Sequence, residues 1–286
     1  MIAPPGIDEV RAAADRIRGF VRRTSILSAA STREHGERTR GLLLKLESLQ
    51  VTGSFKARGA ISAVFASPPQ RLARGVATAS GGNHGLAVAY AGWAAGVPAT
   101  IFLPNSVAAE KRERFATWGA RVVVSGEVWD DSNRAALHHA EAEALAYIHP
   151  FADPAVIAGQ GTIALEILEE APDLDTLIVV IGGGGLISGV ALTANALKPG
   201  IRIIGVEPVG APTLHDSLAA GRLVELAKLD TAAITLAPRR SESLNLAIIN
   251  KLSNGSFWSR TAKCWRQRVG CGASSGLLLN SAVRRR

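Results

Sequence analysis

From about residue 42 onward, the chain alternates short apolar runs with amphipathic stretches of helical length. The apolar runs predict strands at residues 42–47, 75–80, 99–104, 120–125, 177–182 and 201–207. The amphipathic stretches predict helices at residues 54–66, 83–96, 107–118, 130–146, 155–170 and 186–197. Strands that alternate with helices predict an α/β fold with parallel strands, which carry ligands at their carboxyl ends.

The composition is that of an ordinary globular protein, with 286 residues of which 47% are hydrophobic and 20% are charged. This length allows one large or two medium domains. No run approaches the roughly 18 apolar residues of a membrane span, and the N-terminus has no apolar signal segment. We therefore expect a cytoplasmic protein without a membrane partner.

The formal net charge of +8 does not indicate a nucleic-acid partner, because the excess of basic residues lies in residues 253–286. That segment contains Lys and Arg but no Asp or Glu, and the rest of the chain is nearly neutral. Both cysteines, Cys264 and Cys271, also lie there, so the sequence predicts no disulfide framework.

The first candidate motif is K-L-E-S-L-Q-V-T-G-S-F-K-A-R-G-A, residues 45–60, where a strand ends and a helix carrying Lys56 begins. A partly buried lysine has a lowered pKa and becomes nucleophilic, so Lys56 is a candidate imine former. Taken alone, the motif is more typical of solvated residues, Lys56 and Arg58, in the first turn of a helix.

Two glycine-rich turns follow predicted strands. S-G-G-N-H-G, residues 80–85, would expose backbone N–H groups that suit a carboxylate or phosphate; the alternative is a tight turn with Asn83 as a helix N-cap. I-G-G-G-G-L-I-S-G, residues 181–189, lacks Cβ atoms at four successive positions and predicts a phosphate cradle.

The second turn also invites a dinucleotide-binding hypothesis, because Glu207 ends the next strand, where a ribose-binding acid would lie. The G-x-G-x-x-G pattern fails in detail, since Ile187 or Ser188 stands at the last glycine. A nicotinamide-dinucleotide protein is therefore the second choice.

Taken together, the motifs resemble the fold-type II pyridoxal-phosphate (PLP) enzymes, specifically the threonine dehydratase and serine racemase branch. The blocks S-F-K-x-R-G-A, S-x-G-N-H, F-x-D-P-x-x-I-A-G-Q-G-T and the tetraglycine turn follow the family's order over residues 10–252. The resemblance implies a tryptophan synthase β-like fold with two parallel or mixed αβα sheets. It also implies a large PLP-binding domain from residues 1–74 and 151–252, a small inserted domain at residues 75–150, and a homodimer or higher homo-oligomer.

The resemblance also implies roles for individual residues. Lys56 would hold pyridoxal 5'-phosphate as a Schiff base, Phe55 would pack on the pyridine ring, and Asn83 would bind the ring oxygen. The phosphate would be held by Gly182, Gly183, Gly184, Gly185 and Leu186. The substrate carboxylate would be received by Ser80, Gly81, Asn83 and His84.

The implied activity is a PLP-dependent ammonia-lyase reaction, in which L-threonine or L-serine is dehydrated and deaminated to a 2-oxo acid and ammonia. The sequence does not distinguish L-threonine from L-serine as the substrate, because the pocket that would do so depends on tertiary contacts. Racemases of this branch carry a second serine where this chain has Gly81, so we expect elimination, with a racemase as the alternative. Glu207 matches the first acid of the family's cation site but Thr213 replaces the second, so no metal is predicted.

The basic tail, residues 253–286, interrupts the α/β pattern and contains no acids. Our hypothesis is a reading-frame shift near codon 252, which predicts an aberrant and poorly ordered tail. The resemblance places a hydroxyl against the pyridine nitrogen from a later strand that this sequence does not contain. We therefore expect weak PLP retention, and an inactive remnant is a further alternative.

Overall fold

The computed structural model describes residues 2–29 and 41–252, together with the backbone of residues 257–262 and 281–284. The chain divides into two compact units, each named here for its central sheet. The four-stranded unit comprises Asp8–Arg22 and Gln50–Gln160, and the six-stranded unit comprises Met1–Ile7, Arg23–Leu49 and Gly161–Arg286. Among the described residues, no helix is both long and apolar enough to span a bilayer.

The predicted alternation of strands and helices is confirmed, with small displacements of the ends. The helices α1 to α10 are Ile7–Ile17, Lys56–Ala66, Pro69–Leu72, Asn83–Ala95, Ala109–Ala116, Trp129–Ala142, Pro154–Glu170, Gly185–Leu197, Thr213–Ala220 and Ser243–Leu252. The strands β1 to β10 are Ile26–Ser28, Leu42–Lys45, Val76–Ala79, Ala99–Leu103, Arg121–Val124, Ala146–Tyr147, Thr176–Val180, Arg202–Pro208, Phe257–Ala262 and Ser281–Arg284. All six predicted strands and all six predicted helices are present.

The four-stranded unit contains a parallel sheet in the order β5-β4-β3-β6. Every residue of β3 and β4 is buried, as expected for parallel strands covered by helices on both faces. One hydrophobic core joins Ile17 of α1, Ile61 of α2 and Leu86 of α4 to Val76 and Ile101 of the sheet. This core packs α1 and α2 with the four-stranded sheet. The implied division into a large domain of residues 1–74 and 151–252 and a small domain of residues 75–150 stays a prediction.

The six-stranded unit contains a mixed sheet in the order β1-β2-β10-β7-β8-β9. The strands β7 and β8 are parallel, with Leu177 opposite Ile203, and β1, β2 and β10 form antiparallel pairs. Leu177, Val179 and Ile203 are fully buried. One parallel and one mixed sheet agree with the predicted fold class.

The structure differs from the sequence pattern after Leu252, where no strand was predicted. The backbone of β9 pairs in parallel with β8, and β10 lies between β2 and β7. Pairing with β9 satisfies the N–H and C=O groups along an edge of β8 that would otherwise be open. The other residues of the 253–286 tail, and all of its side chains, lie outside the described residues, as do the reading-frame hypothesis and the predicted poor order.

Candidate active site

Lys56 is the first residue of α2, and its amine is held by a backbone carbonyl. Gly53 turns the chain before the helix with a φ of 77°, and α2 then buries each residue from 57 to 64. Lys56 Nζ donates to the Pro150 carbonyl oxygen at 2.6 Å and lies 5.3 Å from the centre of the Phe55 ring. A buried helix therefore fixes the backbone of Lys56, and Pro150 fixes the direction of its amine.

Lys56, His84 and His149 form a cluster of basic side chains in desolvated surroundings, called here the lysine cluster. Burial lowers the pKa of Lys56 from 10.5 to about 8. Burial, and then the charge of Lys56, lower the pKa of His149 to about 4 and bring the pKa of His84 well below its ordinary value. At neutral pH both imidazoles are uncharged, and Lys56 is the member of the cluster that exchanges a proton close to that pH.

The ring of His84 has a defined tautomer, because His84 Nε2 lies 3.1 Å from the Ile148 carbonyl oxygen. A carbonyl oxygen only accepts hydrogen bonds, so Nε2 carries the proton and Nδ1 carries a lone pair. Nδ1 is buried and has no hydrogen-bond partner. The neutral ring thus offers an acceptor, and the predicted contact of His84 with a substrate carboxylate stays a prediction.

The asparagine loop, residues 80–85, connects β3 to α4 in the same unit as Lys56. The helix begins at Asn83, and Gly82 occupies the N-cap position without any side-chain cap. The alternative that Asn83 is the N-cap is therefore wrong. A helix N-terminus that no side chain caps suits a carboxylate, which is the role predicted for this loop.

Two glycines of the asparagine loop are required by close contacts. A Cβ on Gly81 would lie 2.3 Å from Val107 Cγ2, and a Cβ on Gly85 would lie 2.2 Å from the Ser80 carbonyl oxygen. Both distances are far below van der Waals contact. The space next to position 81 is therefore filled by Val107.

The glycine turn, residues 182–185, connects β7 to α8 in the six-stranded unit. Gly184 is the N-cap of α8 with a φ of 100°, and no side chain caps the helix. The Gly183 carbonyl oxygen accepts hydrogen bonds from Ser241 Oγ at 3.0 Å and Asn245 Nδ2 at 2.9 Å. These bonds fix the turn in a conformation that presents an uncapped helix N-terminus, as an anion requires.

Three fully buried polar residues support the glycine turn: Ser188, Ser241 and Asn245. The sequence did not predict this supporting role. Ser188 Oγ donates to Asn245 Oδ1 at 3.2 Å, so the Asn245 amide is held at both ends. No local pattern identifies these residues, because Ser241 and Asn245 are 58 and 62 residues from Gly183. Pro150 was missed too, although it immediately precedes the F-x-D-P block.

Glu207 anchors the start of α9. Its Oε1 accepts the backbone N–H of Leu214 and its Oε2 accepts that of His215, each at 2.7 Å. The carboxylate is buried and committed to the helix, which does not fit the ribose contact of the dinucleotide hypothesis. In the part of the chain that the structure describes, no three His, Cys, Asp or Glu side chains are grouped to hold a metal ion.

Each unit, taken by itself, has residues that suit one part of pyridoxal phosphate. A lysine with a pKa of about 8 suits an amine that bonds to an aldehyde carbon, and the glycine turn suits a phosphate. The unpaired Nδ1 of His84 is a buried polar atom close to Lys56 that still lacks a partner. The amine suits the cofactor's reactive carbon and the glycine turn suits its anionic group, whereas the lone pair on His84 Nδ1 needs a hydrogen-bond donor.

Comparison with curated proteins gives relatives with consistent names. The chain is 40% identical over 245 residues to an L-threonine ammonia-lyase of Geobacter sulfurreducens, covering 85% of this chain and 60% of the relative. It is also 40% identical over 227 residues to a serine racemase of Oryza sativa subsp. indica, covering 79% of this chain and 66% of the relative. The chain thus spans about 60% of the length of the first of these relatives.

Solved structures give the same fold. A maize serine racemase superimposes with a TM-score of 0.83 at 35% identity, covering 91% of this chain and 78% of the other. A threonine deaminase from T.th. superimposes with a TM-score of 0.80 at 34% identity, covering 90% and 82%. The predicted fold-type II architecture is confirmed. The family model described as pyridoxal-phosphate dependent enzyme matches residues 17–285, and the chain belongs to this family.

Proposed function

We propose that the chain is a PLP-dependent ammonia-lyase that converts L-threonine or L-serine to a 2-oxo acid and ammonia. The single observation that carries the proposal is the Lys56 amine, which has a pKa of about 8 and is directed by the Pro150 carbonyl. The names of the relatives from Geobacter sulfurreducens and T.th. support the same reaction.

Lys56 would act first as a nucleophile and then as a base. With a pKa of about 8, roughly a tenth of the amine is neutral at pH 7, far more than for a lysine with the ordinary value of 10.5. Lys56 would hold the cofactor through its aldehyde group, and the Lys56 amine is the base that would take the proton from the substrate's Cα. Bound pyridoxal phosphate supplies an electron sink for the charge that develops at Cα.

Each of the two uncapped helix N-termini would bind an anionic group. The N-terminus of α4 at Asn83 would receive the substrate carboxylate, and the glycine turn at α8 would receive the phosphate. Asn83 would bind the ring oxygen of the cofactor, and Phe55 would pack on its ring. With these groups held in place, Lys56 would take the proton from Cα. The β-hydroxyl of the substrate would be the leaving group.

Elimination is favoured over racemisation by the contact between Gly81 and Val107. A racemase needs a second proton donor on the face of Cα opposite Lys56. At position 81 this chain has no side chain, and Val107 Cγ2 fills the place that a Cβ would occupy. The serine racemases among the relatives therefore support the fold and the cofactor more strongly than they support racemisation here.

The test is 2-oxo acid production by the full chain with added pyridoxal phosphate, using L-threonine and L-serine separately. We expect Lys56→Ala to lower the rate at least about 1,000-fold, because it removes both nucleophile and base. Lys111→Ala is the control, since Lys111 is exposed on α5. Borohydride should attach the cofactor to Lys56 in the wild type. A full rate in Lys56→Ala, or production of D-serine in place of 2-oxo acid, would contradict the proposal.

The predicted homodimer or higher homo-oligomer and the cytoplasmic location belong to the same proposal. Light scattering on the purified chain would measure its mass in solution. Cell fractionation would locate the protein.

A further inference from the structure

The turn at residues 149–152 connects β6 to α7 in the four-stranded unit, and an imidazole organises it. His149 Nδ1 accepts the backbone N–H of Phe151 at 3.2 Å and that of Ala152 at 2.9 Å. Backbone N–H groups only donate, so Nδ1 carries a lone pair and the proton of the neutral ring lies on Nε2. The turn is therefore built around one specific tautomer of His149.

The Pro150 carbonyl and the Phe151 N–H belong to the same peptide group. That group is planar and trans, so its C=O and N–H point in opposite directions and rotate together. On one side the N–H donates to His149 Nδ1, and on the other side the C=O accepts from Lys56 Nζ at 2.6 Å. Whatever holds the N–H thus also sets the direction of the C=O.

We propose that His149 is a positioning residue for Lys56, because its Nδ1 orients the peptide group between Pro150 and Phe151 and so directs the Pro150 carbonyl at the lysine amine. With one N–H of the amine committed to Pro150, the direction of the amine's remaining hydrogens and lone pair is restricted. The inference uses the proposed function only in giving Lys56 its role, and the geometry holds without it.

The surroundings keep His149 in the accepting form. The titratable groups that the described residues place around His149 are Lys56 on α2, His84 on α4 and the phenol of Tyr147. Burial raises the pKa of Tyr147, so its phenol is uncharged at neutral pH. The rings of Tyr147 and Phe151 lie 6.3 Å and 4.8 Å away by their centres. Burial and the Lys56 charge lower the pKa of His149 to about 4, so Nδ1 is free of a proton at neutral pH.

The alternative is that His149 merely caps the turn before α7, and a pair of substitutions separates the two roles. His149→Asn keeps an acceptor at about the position of Nδ1, whereas His149→Gln places its polar atoms near Nε2 and loses that acceptor. The measured quantity is the pKa of Lys56 in the full chain without cofactor, obtained from the pH dependence of trace acetylation at that residue. This measurement reads the amine directly, so it stands even if the proposed reaction is wrong.

We expect the wild type and His149→Asn to give a pKa near 8. His149→Gln should lower it by about one unit, because a hydrogen bond that stabilises the charged amine is lost. His138→Gln, on the exposed face of α6, is the matched control and should change nothing. Equal values in all the proteins, or a shift shared by the Asn and Gln variants, would overturn the inference.

A second measurement reads the tautomer of His149 in the wild-type chain and uses a variant only to assign the signal. Nitrogen-15 NMR of the imidazoles in the wild type distinguishes a ring with its proton on Nε2 from one with its proton on Nδ1. The signal that disappears in His149→Asn identifies His149, and we expect it to show a proton on Nε2 only. A proton on Nδ1 at neutral pH would overturn the inference even if the Gln variant failed to fold.

Discussion

Under the proposed function, the lysine cluster and the glycine turn would recognise the cofactor by different means. The lysine cluster uses side chains whose pKa values are shifted by burial, and the important atom is a titrating amine. The glycine turn offers backbone groups, and the buried Ser241 and Asn245 hold the Gly183 carbonyl. We therefore expect the first region to respond to pH and the second to respond to any added Cβ.

The largest effect is expected for Gly184→Ala in the glycine turn. An alanine would have to adopt a φ of 100°, with its Cβ 3.0 Å from Asn245 Cβ, at a cost of about 2 kcal/mol or more. If this strain opens the turn, affinity for pyridoxal phosphate should fall by about 30-fold or more, as measured by absorbance titration.

Gly200→Ala is the control for that experiment, because Gly200 also has a positive φ, 89°, but nothing lies near its Cβ position. It should lower the stability of the chain while leaving cofactor affinity unchanged. Equal losses of affinity in the two variants would show that the glycine turn has no special part in binding.

The next effect concerns the asparagine loop, which belongs to the same unit as the lysine cluster. Its conformation depends on the absence of a Cβ at its glycines. Gly81→Ala would force a Cβ to within 2.3 Å of Val107 Cγ2, and such overpacking costs about 1–3 kcal/mol. Urea unfolding should show this loss, and the double variant with Val107→Ala should recover much of it. Gly82→Ala, whose Cβ would meet nothing within 4 Å, should lose only the N-cap preference for glycine, and Val107→Ala should not relieve that loss. A loss in Gly81→Ala that Val107→Ala does not relieve would contradict the proposed contact.

The reactivity of the lysine cluster should change about tenfold with pH, whereas the glycine turn contains no titrating group that the proposal uses. The neutral amine reacts, so raising the pH through a pKa of about 8 increases the reactive fraction about tenfold between pH 7 and pH 9. The rate at which the chain binds pyridoxal phosphate should rise over this interval and then level off. Nα-acetyl-lysine, measured in parallel, corrects for titration of the cofactor itself. A midpoint near 10.5 would show that Lys56 is not desolvated.

The sequence predicted the local motifs of both regions but not the residues that reach them from elsewhere in the chain, and the reason is physical. The sequence singles out Lys56, the asparagine loop and residues 182–185 because each follows a predicted strand within one local motif. Asn245 and Ser241 were not, because they reach the glycine turn through tertiary packing of α10 against α8. The strands β9 and β10 were missed as well, because the sequence of the tail does not continue the pattern of apolar runs that predicted the other strands. The pKa of Lys56 depends on burial, which a local pattern does not measure.

The smallest effect is expected for Asn245→Ala, and it tests whether the glycine turn depends on a side chain at all. The change removes the Asn245 Nδ2 bond to the Gly183 carbonyl but leaves the bond from Ser241 Oγ, so the turn loses one of two supports. A hydrogen bond contributes about 1 kcal/mol, which corresponds to about a fivefold loss of pyridoxal phosphate affinity. Asn250→Ala, on the exposed face of α10, is the control. Burial lowers the pKa of Lys56, and Asn245→Ala removes only a hydrogen bond to the glycine turn, so the pH midpoint near 8 should not move. A shifted midpoint would mean that the glycine turn also sets the ionisation of the lysine.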